Sequence, residues 1–236
     1  MASDNTSVPN LPEAQIARRQ LHIILMLDCS GSMNGEKIAS LNYAIRSAVA
    51  ELRDVAEENP EVDMRLSAVR FSDEAHWHIE TPTKMEDVDW EDLTAQGETS
   101  MGQALSLVTE LLGGNHFSGR QLPPLILLVT DGYSTDDFHV AYQEFLTNPA
   151  AEHATKLAVA IGDAADLETL ETYTNKKVTG ISPLCARSAP DLVRFIKWAT
   201  TAPVKATSSP TNSPSQQEEL ALATSSIQQD NSEIVW

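Results

Sequence analysis

Leu21-His22-Ile23-Ile24-Leu25-Met26-Leu27-Asp28-Cys29-Ser30-Gly31-Ser32-Met33 is the stretch whose reading decides the fold of this chain. Seven mostly apolar residues, Leu21 to Leu27, run into the acid Asp28, and hydroxyls follow on alternate residues at Ser30 and Ser32. An apolar run of that length, closed by polar residues and a glycine, predicts a strand buried on both faces, as in a parallel sheet. The polar residues then fall at the carboxyl end of the strand, where open α/β sheets place their ligand sites. Gly31 lets the backbone turn sharply, so the acid and the two serines form a small oxygen-lined cup.

Outward from this strand, helical and extended patterns alternate. Ile38, Leu41, Ile45, Ala48, Leu52 and Val55 recur at helical spacing between Gly35 and Asn59, with Pro60 closing the helix. Met64–Phe71 and Ala75–Ile79 predict a hairpin around Ser72-Asp73-Glu74, and hence one antiparallel edge strand. A long polar loop, Thr81 to Glu98, leads to a helix over Met101–Leu112 stopped by Gly113-Gly114. Strands are expected at Pro124–Thr130, Thr155–Ile161 and Lys177–Ile181, with helices at Asp137–Leu146, Asp166–Thr174 and Ala189–Thr200. This order predicts right-handed crossovers and a doubly wound, Rossmann-like, mostly parallel six-stranded sheet with helices on both faces.

The polar leader at residues 1–20 is expected to be flexible, and residues 21–201 to form one domain. Residues 202–236, rich in Ser, Thr, Pro, Gln and Ala, are expected to be disordered. Sixteen Lys and Arg against 34 Asp and Glu give a formal net charge of −18. A surface that acidic repels nucleic acid and anionic lipid and favours cations or basic protein surfaces. Two cysteines, Cys29 and Cys185, are too few for a disulfide scaffold. With no secretory pattern and no membrane-length apolar run, they point to a soluble protein of a reducing cytoplasm.

Two further loops should reach the edge that carries the cup. Gly97-Glu98-Thr99-Ser100-Met101-Gly102 leads into a helix, and Thr130-Asp131-Gly132 ends a buried strand. The three loops together offer Asp28, Ser30, Ser32, Thr99 and Asp131, all oxygen donors, which suit Mg²⁺ or Mn²⁺ rather than a zinc site built from His and Cys. Ser, Thr and Asp are also favoured at helix caps and turns, but three such loops converging favour the metal. Two carboxylates and three neutral hydroxyls would leave the ion with excess positive charge, open to one more oxygen from a partner's Asp or Glu.

These residues resemble the von Willebrand factor type A domain and its metal-ion-dependent adhesion site, which pairs Asp-x-Ser-x-Ser on a first loop with a Thr on a second and an Asp on a third. Asp28-Cys29-Ser30-Gly31-Ser32, Thr99 and Asp131 match that pattern in full, over roughly Leu21 to Thr200. Thr130 to Asp137, Leu157 to Gly162, and Trp90 ahead of Gly97 are similar to the bacterial TerY-like branch, associated with tellurium-resistance clusters. That resemblance implies a non-enzymatic scaffold working beside a Ser/Thr kinase and a protein phosphatase. Some relatives carry a C-terminal zinc-binding module, whereas a cysteine-free tail follows here.

The alternative function is a Mg²⁺-dependent phosphohydrolase of the haloacid-dehalogenase kind, which also starts from an Asp at the end of its first strand. Such enzymes have a second acid where Ser30 stands. Neither a dinucleotide fingerprint nor a phosphate loop is present. Other features carry blander expectations. Cys29 should be a packing residue, His76 and His78 exposed on one strand face rather than metal ligands, and Asp136 and Asp137 caps of the following helix. Ser209-Pro210 and Ser213-Pro214 read either as sites for a partner kinase or as linker composition, the latter favoured, and Ile234-Val235-Trp236 as either a docking motif or a frayed end.

Overall fold

A computed structural model describes residues 18–114, 121–208 and 216–229. Its centre is a six-stranded sheet of β1 (Arg19–Asp28), β2 (Val62–Phe71), β3 (Ala75–Lys84), β4 (Leu125–Thr130), β5 (Thr155–Ile161) and β6 (Leu184–Ala186). The strand order is β3-β2-β1-β4-β5-β6. Five strands run parallel, and β3 pairs antiparallel with β2 at one edge. This is the doubly wound mixed sheet expected from the sequence.

The opening run of β1 is apolar throughout because both of its faces are covered. Leu21, Ile23, Leu25 and Leu27 point into one core with α1 (Glu36–Glu58) and α7 (Ala189–Ser208). Ile24 and Met26, on the other face, meet α2 (Met101–Gly113), α3 (Phe138–Phe145) and α5 (Leu167–Tyr173). The 2-residue alternation of a strand divides the run between two hydrophobic layers. Two one-turn helices, α4 (Pro149–Glu152) and α6 (Lys176–Thr179), and a final helix, α8 (Gln216–Gln229), complete the described chain.

Chain direction away from the centre reverses between β1 and β4. From β1 the chain crosses to β2 on one side, and from β4 it crosses to β5 on the other. The loops after the carboxyl ends of β1 and β4 therefore part company and leave a crevice between them, the place where open α/β sheets bind ligands. Asp28 is the last residue of β1, and Asp131 follows the last residue of β4.

Three expectations need correction. The sixth strand is Leu184–Ala186, paired with Val159–Ile161, whereas Lys176–Thr179 is a helical turn. That turn is enclosed by Asn175 (φ 53°) and Gly180 (φ 72°), both left-handed, and its Val178 is exposed, so the turn brings no apolar side chain to the sheet. Second, β1 starts at Arg19, inside the expected leader; residues 1–17 lie outside the described residues.

Third, the region from 202 onward is not uniformly disordered. Helix α7 continues to Ser208, and α8 packs Leu220 and Thr224 into the body of the molecule. The Gln228 side chain accepts from the Cys185 N–H at 3.0 Å and donates to the Cys185 carbonyl at 3.5 Å, closing the exposed edge of β6. Gln, Glu, Leu and Ala are good helix formers whatever their polarity. The Thr224 and Ser225 hydroxyls donate to the Leu220 and Ala221 carbonyls one turn back. The Ser-Pro pairs at 209–214 and the stretch 230–236 lie outside the described residues.

Candidate metal centre

All five sequence-predicted oxygen donors belong to the three loops at this crevice, and every one except Ser32 is buried. Asp28 sits deepest, with no solvent exposure. Its Oδ1 accepts from the Ser30 N–H at 2.8 Å, and its Oδ2 accepts from the Thr130 hydroxyl at 2.6 Å. Burial raises the Asp28 pKa above the usual carboxylate value, while these hydrogen bonds and the one to the Ser30 side chain work against the rise. Both oxygens face protein donors, so Asp28 is held as an orienting acid.

Ahead of Asp28 the hydroxyls form a chain. Ser32 Oγ donates to Asp131 Oδ1 at 2.6 Å, and the Ser30 and Ser32 hydroxyl oxygens lie within hydrogen-bond distance of each other, at 2.9 Å. The second Asp131 oxygen accepts from the Lys37 ammonium at 2.5 Å. Lys37, in the first turn of α1, was not among the candidates read from the sequence. Thr99 completes the group from the second loop: a Cβ built on Gly132, next to Asp131, would stand 3.9 Å from Thr99 Oγ1.

The second loop is tied down on both sides. Thr99 donates its N–H to Thr135 Oγ1 at 3.1 Å and accepts the Thr135 N–H at 2.9 Å, joining it to the β4 loop. Gly31 donates to the Gly97 carbonyl at 2.8 Å, joining it to the β1 loop. A Cβ on Gly31 would sit 3.3 Å from that carbonyl, so the close approach favours glycine. Gly97 itself has φ +77°, and a Cβ there would strike the Asp73 carboxylate at 2.5 Å. Asp73 in turn accepts the Glu98 N–H at 2.9 Å, so the β2–β3 turn braces the same loop.

Asp136 and Asp137 divide their work. Asp137 caps α3 through the Val140 N–H at 3.2 Å, as the sequence led us to expect. Asp136 instead accepts the N–H groups of Gly102 and Gln103, both at 2.8 Å, and so caps α2 across the loop interface. This corrects the expectation that both acids cap the following helix. Thr130, Thr135, Asp73 and Asp136 act through backbone and side-chain contacts between loops, which carry no local sequence periodicity.

Cys29 is a packing residue: it is buried, and burial pushes its thiol up to about 12. His76 and His78 take separate partners. His76 pairs with Glu74 at 3.6 Å, whereas His78 packs on Trp90 (centroids 4.5 Å apart) with Nε2 at 3.0 Å from the Glu91 carbonyl. Among the described residues no group of three or more His, Cys, Asp or Glu side chains stands ready for a metal. The crevice offers two carboxylates and three hydroxyls instead, an all-oxygen set whose chemistry fits a hard divalent cation. The Lys37 ammonium on Asp131 shows that the crevice accommodates positive charge. A concavity of about 930 Å³ between α1 and α7 contains none of the five donors.

The chain belongs to the von Willebrand factor type A domain family, whose model matches residues 22–180. No curated protein matches it. Among solved structures it is similar to a von Willebrand factor type A protein from Catenulispora acidiphila, at 18% identity and a TM-score of 0.58, over 78% of this chain and 42% of that one. It is also similar to proximal thread matrix protein 1 from the mussel byssus, in a structure with zinc in its metal-ion-dependent adhesion site motif. There the identity is 14% and the TM-score 0.56, over 79% of this chain and 46% of that one. A third is the ArnB paralog VWA2 from Sulfolobus acidocaldarius, at 17% identity and a TM-score of 0.53, over 77% and 45%. The chain thus spans less than half the length of these structures, and likeness at such identity speaks for the fold. No helix among the described residues is long and apolar enough to cross a membrane.

Proposed function

We propose that this domain is a metal-ion-dependent protein-interaction module that docks an acidic side chain of a partner. The observation that carries this reading is the convergence of Asp28, Ser30, Ser32, Thr99 and Asp131 on one crevice at the carboxyl ends of β1 and β4. Ser30, Ser32, Thr99 and Asp131 are the residues that would hold the ion, with Asp28 fixing the first loop through the Ser30 N–H. A Mg²⁺ or Mn²⁺ ion there supplies an electropositive vertex to which a partner's Asp or Glu can add an oxygen. A mussel relative with zinc in the corresponding motif supports a divalent ion in this family.

The similarity of residues 130–137 and 157–162 to the TerY-like branch supports a finer reading: a cytoplasmic, non-enzymatic scaffold between a Ser/Thr kinase and a protein phosphatase in a tellurium-resistance-like stress response. Capture of that kinase or phosphatase in Mg²⁺ and in EDTA, by wild type, Asp28→Ala and Thr99→Ala, tests the proposal. Capture only by wild type with Mg²⁺ is expected. Equal capture in every condition overturns it.

A further inference from the structure

Lys37 occupies a place that helix energetics does not favour. It is the second residue of α1, after Glu36, at the helix end where unpaired N–H groups make a cation unwelcome. Its own helix gives it no ion pair; its partner is Asp131, 94 residues away in the chain. The Asp131 side chain is completely shielded from solvent, while that of Lys37 retains 29% exposure. One end of this pair is thus fixed inside the crevice, and the other is a flexible stem with a route to water.

The consequence lies in how Asp131 is shared. One oxygen takes the Ser32 hydroxyl and the other the Lys37 ammonium, so both carboxylate oxygens are engaged by groups of this chain. Ser32 and Asp131 are also two of the residues assigned above to the ion. An ammonium on the same carboxylate repels a divalent cation and withdraws the negative charge that would attract it.

Resting on the metal reading above, we propose that Lys37 is a tethered counter-cation of the centre. It holds Asp131 in place of a metal and thereby sets the concentration of free divalent ion at which the site fills. Filling is then an exchange of one cation for another at Asp131, in which the ammonium swings toward solvent as the carboxylate turns to the ion. A protein built this way engages its partner only above a threshold of free divalent ion.

The test is calorimetric titration of Mn²⁺ into the full chain as wild type, Lys37→Met and Lys37→Arg, with melting curves of each in EDTA and in saturating Mn²⁺. Lys37→Met is expected to bind Mn²⁺ about tenfold more tightly or better, and Lys37→Arg to stay near wild type. In EDTA, Lys37→Met should melt below wild type, because Asp131 keeps its burial but loses its cation; in Mn²⁺ that deficit should shrink or reverse. Wild-type-like or weaker Mn²⁺ binding by a folded Lys37→Met overturns the inference and leaves the metal reading standing. Absence of Mn²⁺ binding in all three proteins overturns both.

Discussion

At the scale of single residues, the crevice depends on contacts that lie just behind its oxygen donors. Thr130 is completely buried, and its hydroxyl is one of the donors that keep Asp28 oriented. Thr130→Val retains the shape of the strand end but leaves a buried carboxylate oxygen without that donor. We expect a loss of about 1–3 kcal/mol in urea unfolding, together with weaker divalent-ion binding. Lys156 offers a check far from the site. Buried under Phe145 and donating to the Ala151 carbonyl at 3.0 Å, it is pulled by burial down to about 8.

Because folding disfavours the charged Lys156, the unfolded chain binds more protons between pH 8 and 10.5, and stability rises with pH across that window. Relative to Lys156→Met, the wild type should gain roughly 2–3 kcal/mol over that interval, read as the difference between urea midpoints at the two ends. The oxygen donors Asp28, Ser30, Ser32, Thr99 and Asp131 could be named from the sequence because each sits at a strand end or ahead of a helix in a short motif. Lys37, Thr130, Asp73 and Asp136 were not, because their partners lie in other loops and only the closed fold brings them together.

At the scale of elements, the loop between β3 and α2 shows how a segment whose one regular piece is the 3₁₀ turn Met85–Asp87 is held. Asn42, buried on α1, donates to the Leu93 carbonyl at 2.9 Å and accepts the Leu93 N–H at 2.8 Å, in effect acting as a strand partner. Arg53 reaches the carbonyls of Met85, at 3.0 Å, and Val88. Asn42→Ala should cost about 2–3 kcal/mol and raise amide exchange near Leu93. The last helix is an element that composition concealed. Its Leu220 enters the core beside α7, and its Gln228 closes the edge of β6. Deleting residues 216–236 should therefore lower the melting temperature, and Leu220→Ala alone should cost about 2 kcal/mol. The long helices and the buried strands were readable because periodicity is strong over ten or more residues. Three-residue β6 and one-turn α6 were not, because tertiary pairing rather than local pattern assigns them.

At the scale of the whole molecule, the topology makes the site. A central strand saturated with apolar residues on both faces forces the chain to wind outward in two directions. The point of divergence lies at the carboxyl ends of β1 and β4, and three loops meet there with five oxygen-bearing side chains and little charge. An acidic protein of net charge −18 is in addition disposed to draw cations from solution. If the loops form a metal centre, an ion bound only by the folded chain must stabilise it, by about 2.7 kcal/mol at a hundredfold excess over its dissociation constant. The most direct test is titration of Mg²⁺ or Mn²⁺ into the EDTA-stripped chain, for wild type and for Asp131→Ala, by calorimetry. The account predicts one ion per wild-type chain, and affinity reduced tenfold or more, about 1.4 kcal/mol, by the substitution. A wild-type chain that takes up no ion, or one whose binding survives the loss of Asp131 unchanged, would contradict it.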